Sequence, residues 1–251
     1  MSGEIGNQMD NLTQKQQVIE AMKKNGGYAT LQQLYHCIDF SAWGTMTPQA
    51  SVRQIVQMNG EFFNVFPGLW ALKECEKKVR EKFSIQENKE DSEKAKDFTH
   101  SYYQGLIVEL GNMHKFKTYV PNQDKNQLFH EKPLSELVTE KDLPPFTYEE
   151  IAKRAKTVDV IWFNERKMPY RFYEIEHTTD ISHSLGKFCA LRDFRAEFYI
   201  IAQESKHRRF DFLIQDEQYK VIKEYVKFFD YNSLEKQYEV ECSLARMDRR
   251  L

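Results

Sequence analysis

The sequence predicts an α/β protein: a mixed sheet flanked by helices, preceded by a smaller and mostly helical module. Two observations carry the sheet. Residues 101–251 read in the order helix, strand, helix, strand, strand, helix, strand, an alternation that buries a sheet between helical layers. Three of those strands, Val158–Phe163, Tyr170–Glu176 and Glu197–Ala202, are dense in β-branched and aromatic side chains. A third observation separates the modules. Residues 75–100 hold seven basic and seven acidic groups, with Phe83, Ile85 and Phe98 as nearly their only large apolar side chains. So polar a stretch reads as a solvated helical or flexible linker, which divides the chain into 1–74, 75–100 and 101–251.

Each N-terminal element has a start or stop signal. Thr13 caps a helix running to Lys24, with Val18, Ile19 and Met22 on one face and Gly26-Gly27 as the stop. Thr30 caps a second, whose Leu31, Leu34, Tyr35 and Ile38 recur at helical spacing. Thr47-Pro48 opens a third, with Val52, Ile55 and Val56 facing inward. FFNVFPGLWAL then gives two apolar strands around Pro67-Gly68. Three helices and a hairpin are the plan of a winged helix. In that plan Gln49, Ser51, Arg53, Gln54 and Gln57 of the third helix point outward, side chains suited to a DNA groove. A small helical domain with a solvated face for protein contacts is the alternative.

The larger part opens with the helix HSYYQGLIVELGNMHK, whose buried stripe is Tyr103, Leu106, Ile107 and Leu110, followed by the strand Phe116–Val120. Thr147, Glu149 and Glu150 form a capped, acidic first turn for a helix to Lys156. Another helix is expected from about Thr179 to Arg192, with Thr178 and Thr179 as its caps, and the last third reads as helical cover plus a loose tail.

Charge excludes several function classes. Lys plus Arg is 36 and Asp plus Glu 38, a net charge of −2, so no polybasic arm carries function; a local basic stripe on a neutral protein can still bind nucleic acid. No run approaches the ~18 apolar residues of a membrane span, and the start, MSGEIGNQMDNLTQ, has no apolar leader segment. Four widely spaced cysteines without a CxxC pair point to reduced thiols. A cytoplasmic protein without a membrane partner is the expectation.

The chemistry concentrates in KTVDVIWFNERKMPYRFYEIEHTTD. Asp159 lies within an apolar β run, where a lone carboxylate costs several kcal/mol unless it is paired or metal-bound. On the next strand Glu174 and Glu176 are two apart and share a face with Phe172, while Tyr173 and Ile175 lie behind. If the strands pair, three carboxylates converge, and their repulsion calls for a divalent cation such as Mg²⁺, with Mn²⁺ as a substitute. An edge hairpin whose glutamates face solvent is the alternative. His177 takes the opposite orientation from Glu176 and is expected to pack or bond locally.

The order helix, strand, Asp-bearing strand, Glu-x-Glu strand, helix over about residues 100–205 resembles the restriction-endonuclease-like PD-(D/E)XK nucleases, and EIEHTT resembles an EVEHTT-type run of a bacterial subgroup. The resemblance implies that Asp159 and Glu174 hold Mg²⁺ and that a first-helix acid, here Glu109, can join the metal site; a solvent-facing Glu109 is the alternative. The family's second strand usually ends in a lysine. Glu176 stands there instead, to bind a second metal or orient the water, and Lys187 on the following helix is the candidate for the missing positive charge, with a solvated helix lysine as the alternative. The N-terminal module resembles winged helices found beside bacterial restriction nucleases.

The function so implied is a Mg²⁺-dependent endonuclease acting on double-stranded DNA in restriction or phage defence, as monomer or homodimer. Lys206, Arg208 and Arg209, with Arg192 and Arg195, would position the DNA backbone, or merely solvate loops. An inactive DNA-binding protein on the same fold and a repair or junction nuclease are the competing readings.

Overall fold

Local capping signals set the first elements. The computed structural model describes residues 12–66, 68–83, 93–129, 132–177 and 180–248, and its chain divides into two compact units. The first runs to Thr99 and includes residues from Cys242 onward; the second is His100–Glu241.

In the first unit, Thr13 and Gln16 form a capping box at α1 (Gln14–Lys24), and Thr30 and Gln33 form another at α2 (Leu31–Cys37). Between them lies β1 (Tyr28–Thr30). Pro48 occupies the first position of α3 (Pro48–Met58), whose cap Thr47 makes no side-chain bond. β2 (Phe62–Phe66) and β3 (Leu69–Leu72) follow, then α4 (Glu76–Lys82). Pro67, expected at the hairpin tip, lies outside the described residues.

β1 is a strand that no periodicity announced. Three residues are too few to show a pattern, and pairing with β3 makes them a strand, in an antiparallel sheet ordered β1-β3-β2. Gly27 leads into it at φ +92°, where a Cβ would stand 2.4 Å from Cys75 Sγ. Val18, Met22, Leu31, Leu34, Val52, Val56, Phe62 and Leu72 fill the core. Phe83 and Phe98 of the charged stretch pack against Leu69 of this unit.

The second unit begins within α5 (Glu93–Met113). β4 (Lys117–Tyr119), a small hairpin of β5 (Leu128–Phe129) and β6 (Lys132–Pro133), α6 (Leu134–Leu137) and α7 (Glu149–Ala155) come next. The cap of α7 is Tyr148 rather than Thr147, and no side chain makes the capping bond. Then follow β7 (Val160–Phe163), β8 (Pro169–Glu176), α8 (Ile181–Ala190), β9 (Glu197–Ala202), α9 (His207–Leu213), β10 (Val226–Asp230) and α10 (Tyr231–Asp248). The expected caps Thr178 and Thr179 lie outside the described residues.

The five-stranded sheet is ordered β10-β9-β8-β7-β4. β4, β7 and β8 are antiparallel neighbours, whereas β8, β9 and β10 run parallel. This is a mixed α/β architecture compatible with the restriction-endonuclease-like arrangement. β10 corrects the expectation of helical cover for the last third. Val226–Asp230 pair residue by residue with β9, and Phe228 stacks on His207 at 4.5 Å, so partners distant in sequence outweigh a helix-like local pattern.

The two sheet faces have different covers. Ile161, Phe163, Phe172, Phe198 and Ile200 pack under Leu185 and Phe188 of α8. On the other face Trp162 Nε1 donates to the Ile107 carbonyl of α5 at 3.1 Å. That approach requires Gly111, where a Cβ would meet Trp162 Nε1 at 2.7 Å and Thr118 Cγ2 at 2.6 Å.

Candidate active site

The β7–β8 register sets the site. Val160 opposes Tyr173 and Ile161 opposes Phe172, so Asp159, just ahead of β7, falls opposite Glu174. The strand begins at Val160 rather than Val158 for a visible reason. At this end the Ile175 N–H is received by the Asp159 carboxylate (Oδ2, 2.7 Å). Asp159 is therefore at a strand end, not inside a strand.

Glu174 and Glu176 project to the α8 face of β8, where α8 offers Ser184 and Lys187 one turn apart. Lys187 Nζ donates to both Glu174 oxygens, at 2.9 and 2.8 Å, and to the Thr157 carbonyl at 2.8 Å. Ser184 Oγ lies 3.0 Å from Glu174 Oε2 and also contacts Glu176 Oε1. All of these groups are buried: Asp159 is 9% exposed, Glu174 3%, Glu176 9% and Lys187 8%. Burial, then the Asp159 charge, pushes the Glu174 carboxyl well above the usual carboxylate range, against the opposing pull of Lys187 and Ser184.

A second set of groups meets Asp159 from α5 and the loop after β4. His100 Nε2 lies 3.6 Å from Asp159 Oδ1. Gln104, one turn on and fully buried, donates from Nε2 to Asp124 Oδ2 at 2.9 Å and to the Asp159 carbonyl at 3.0 Å. Burial raises the Asp124 carboxyl, with Asp159 adding to it and Gln104 and His100 opposing. His100, Asp124 and Asp159 each place a ligand atom within 4.8 Å of the others. Sequence reasoning missed His100, Gln104, Asp124 and Ser184. Only His100 and Gln104 left a signal, two polar groups four apart at the start of an apolar helix; Asp124 is one polar residue in a polar loop.

The structure thus brings together Asp159, Glu174, Glu176 and Lys187, and separates others. Glu109 is not at this cluster: nine residues beyond His100, roughly two and a half turns, it faces the opposite way, and Tyr238 of α10 bonds its Oε2. His177 bonds locally, its Nδ1 2.8 Å from the Tyr231 hydroxyl, which also lies 3.3 Å from the Glu176 carbonyl.

The basic groups divide by sheet end. Arg171 pairs with Glu197 and Glu176 with Ala202, so the turn holding the exposed Arg192 and Arg195 lies at the far end of β9, about 16 Å along the sheet at ~3.3 Å per residue. These arginines flank α8 at the end away from the acids. Lys206, Arg208 and Arg209 follow Ala202 at the acidic end. Lys206 Nζ is 3.5 Å from the Glu176 carbonyl, while Arg208 and Arg209 are exposed. On α3, Gln54 and Gln57 are exposed and Ser51 is half-buried, but Gln49 and Arg53 are buried. These two share a helix face with Val52 and Val56, and Ser243 Oγ donates to Gln49 Oε1 at 3.2 Å; they are not an outward recognition surface.

Among the described residues no helix is long and apolar enough to cross a membrane. Residues 81–249, more than half of the chain, match the family model described as the type II restriction enzyme NmeDI C-terminal domain. No curated protein and no solved structure matches.

Proposed function

The chain belongs to the family of the type II restriction enzyme NmeDI C-terminal domain, and from that premise we propose that it is a divalent-metal-dependent endonuclease of the PD-(D/E)XK type. Double-stranded DNA is its substrate, and the N-terminal module acts as a winged helix in DNA recognition. One observation carries the reading: Asp159 and Glu174 face each other across β7 and β8, with Lys187 of α8 bonded to Glu174. A lysine moved from strand to helix keeps the acid–acid–cation set with Glu176 at the strand position.

The donor set fits a hard divalent ion. Asp159 and Glu174 offer carboxylate oxygens, and a carboxylate holding Lys187 and Ser184 retains further lone pairs. When bound, Mg²⁺ supplies Lewis acidity toward phosphate and lowers the pKa of a water. The chain's own residues do the rest. Asp159 is anchored by the Ile175 N–H, which fixes the position of its remaining oxygen. Lys187 carries positive charge to where the phosphate gains negative charge. Glu176, held through Ser184, is placed to orient the attacking water. Arg208 and Arg209 contact the DNA backbone beyond the same strand ends, and Gln54 and Gln57 of α3 are the remaining exposed candidates for groove contact.

A plasmid-cutting assay with Mg²⁺, Mn²⁺ or EDTA on methylated and unmethylated DNA tests this. Metal-dependent linear product is the expected result; intact plasmid under every condition defeats it. The second reading, a DNA-binding protein without cleavage, has one observation in its favour: both Glu174 oxygens are engaged by Lys187. Under it the same assay shows retarded but uncut plasmid.

A further inference from the structure

Helix α9 leaves the sheet at the end that holds the acids. Ala202, the last residue of β9, pairs with Glu176, and Lys206 Nζ, just ahead of α9, lies 3.5 Å from the Glu176 carbonyl. Phe210 and Leu213 turn one side of α9 into the core. The outer side carries Arg208, Arg209 and Phe212, all exposed. At about 100° per residue, Phe212 stands roughly 40° from Arg208 and 60° from Arg209, and so between them.

Phe212 is 71% exposed. Its ring has no polar atom to offer water, and its position forgoes the stabilisation that burial would contribute. Single exposed apolar side chains are common; the neighbours of this one set it apart. The Arg209 guanidinium carbon lies 5.7 Å from the ring centroid, within cation–π range. Asp211, the acid of this helix, is turned toward His207, whose Nε2 is 3.7 Å from its Oδ1. Among the described residues neither Arg208 nor Arg209 is in an ion pair. The outer face of α9 thus presents a flat ring between two cations.

That combination fits a nucleotide whose base is out of the stack. Bases stack on aromatic faces whatever their sequence, and flanking arginines take the adjoining phosphates. We propose that Arg208, Phe212 and Arg209 form a platform on which one unpaired base stacks beside the acidic cluster, so that the duplex is held with a nucleotide drawn out near the cut. The inference rests on the nuclease reading and deepens it by naming the form of DNA the site prefers. A duplex with a base already unpaired binds more tightly than a perfect one, because extruding that base costs less.

The test is fluorescence anisotropy of the full chain in EDTA, which withholds the metal needed for cleavage. The probes are a fully paired duplex, the same duplex with one unpaired base, and a single strand. The unmutated chain is expected to bind the unpaired-base duplex at least about tenfold more tightly than the paired one. Phe212→Ala should weaken binding of the unpaired-base duplex and the single strand about tenfold or more, the scale of one base–aromatic stack. The paired duplex should change by less than about twofold and serves as the control for folding. The slope of log affinity against log salt should stay the same, since no charge is removed. Phe212→Trp should keep the preference, and Phe212→Leu, apolar without a flat ring, should lose it.

Equal affinity of the unmutated chain for the paired and unpaired-base duplexes overturns the platform, as does an unchanged preference in Phe212→Ala or Phe212→Leu. Self-association without DNA that Phe212→Ala abolishes in sedimentation equilibrium assigns the ring to a second copy of the chain and also overturns it. The nuclease reading is scored separately by metal-dependent plasmid cleavage. Cleavage without a preference for the unpaired base removes the platform alone, whereas no binding to any of the three probes and no cleavage remove both.

Discussion

Strand β8 carries an ion pair toward each end, and the two have the same length. Lys187 Nζ to Glu174 and Arg171 Nε to Glu197 both measure 2.8 Å. Their surroundings differ. Arg171 and Glu197 side chains are 25% and 34% exposed, while Lys187 and Glu174 are 10% and 3%. Glu197 also receives Tyr199 and Lys227, and Arg171 lies over Trp162, Tyr170 and Tyr199. At that end two cations serve one carboxylate. At the other end Asp159, Glu174, Glu176 and Asp124 gather, with Lys187 bonded to Glu174 and His100 facing Asp159.

The pH response should therefore be opposite at the two ends. Burial draws the Glu197 carboxyl up, but Lys227, Tyr199 and Arg171 outweigh it and hold the group below its ordinary value. Glu174 and Asp124 are held above theirs. One end is satisfied within the chain; at the other, burial disfavours the charged forms of the gathered carboxyls.

The largest expected effect that sharpens this contrast is on catalysis. Asp159→Asn should lower Mg²⁺-dependent DNA cleavage by roughly 10³-fold or more, in line with removal of groups acting directly on developing charge. DNA retention in a gel-shift assay should persist. Full cleavage would remove Asp159 from the chemistry and leave the two ends of β8 functionally alike.

Stability comes next. Lys187→Ala leaves Glu174 buried without its partner and should cost about 3–5 kcal/mol in urea unfolding. Arg171→Ala, at a half-exposed pair, should cost about 1–2 kcal/mol, ring contacts included. Equal losses would break the comparison.

A smaller difference is expected in DNA affinity. Arg208→Ala with Arg209→Ala should reduce the slope of log affinity against log salt by about 2, close to one unit per lost phosphate contact. Arg192→Ala with Arg195→Ala, at the far end of β9, should leave the slope unchanged. Fluorescence anisotropy across a salt series reads both.

The smallest effect is the pH signature, measured in EDTA. A carboxyl raised on folding stabilises the chain at acid pH, and that contribution is lost as pH rises through its folded value; a lowered one contributes above the ordinary range and is lost as pH falls. Asp124→Asn should thus raise stability at pH 7 by less than about 1 kcal/mol and leave pH 4 nearly unchanged. Glu197→Gln should lower it at pH 7, with the gap closing on acidification. Thermal unfolding at the two pH values checks the sign of each.

What the sequence could show followed the range of its signals. Capping pairs and helical spacing act within four residues, and they delivered α1 and α2 with their capping boxes. Alternation along β8 placed Glu174 and Glu176 on one face with Phe172, since side-chain direction follows from strand geometry alone. The run Glu197–Ala202 was legible for the same reason. Beyond that range only tertiary structure decided. Whether Val226–Asp230 is strand or helix depends on β9, which begins 29 residues earlier. Asp159, read as lying inside a strand, became its end because its side chain receives the Ile175 N–H. Gln49 and Arg53 look like groove-reading residues until Ser243, nearly 200 positions away, bonds Gln49. His100 and Gln104 stood out only as a polar pair on an apolar helix and Asp124 not at all, since their meeting needs the close passage of α5 over the sheet, which Gly111 permits. Residue types and short-range periodicity are properties of the chain itself; convergence of charges is a property of packing, and it exists only once the sheet has brought distant segments within a few ångströms.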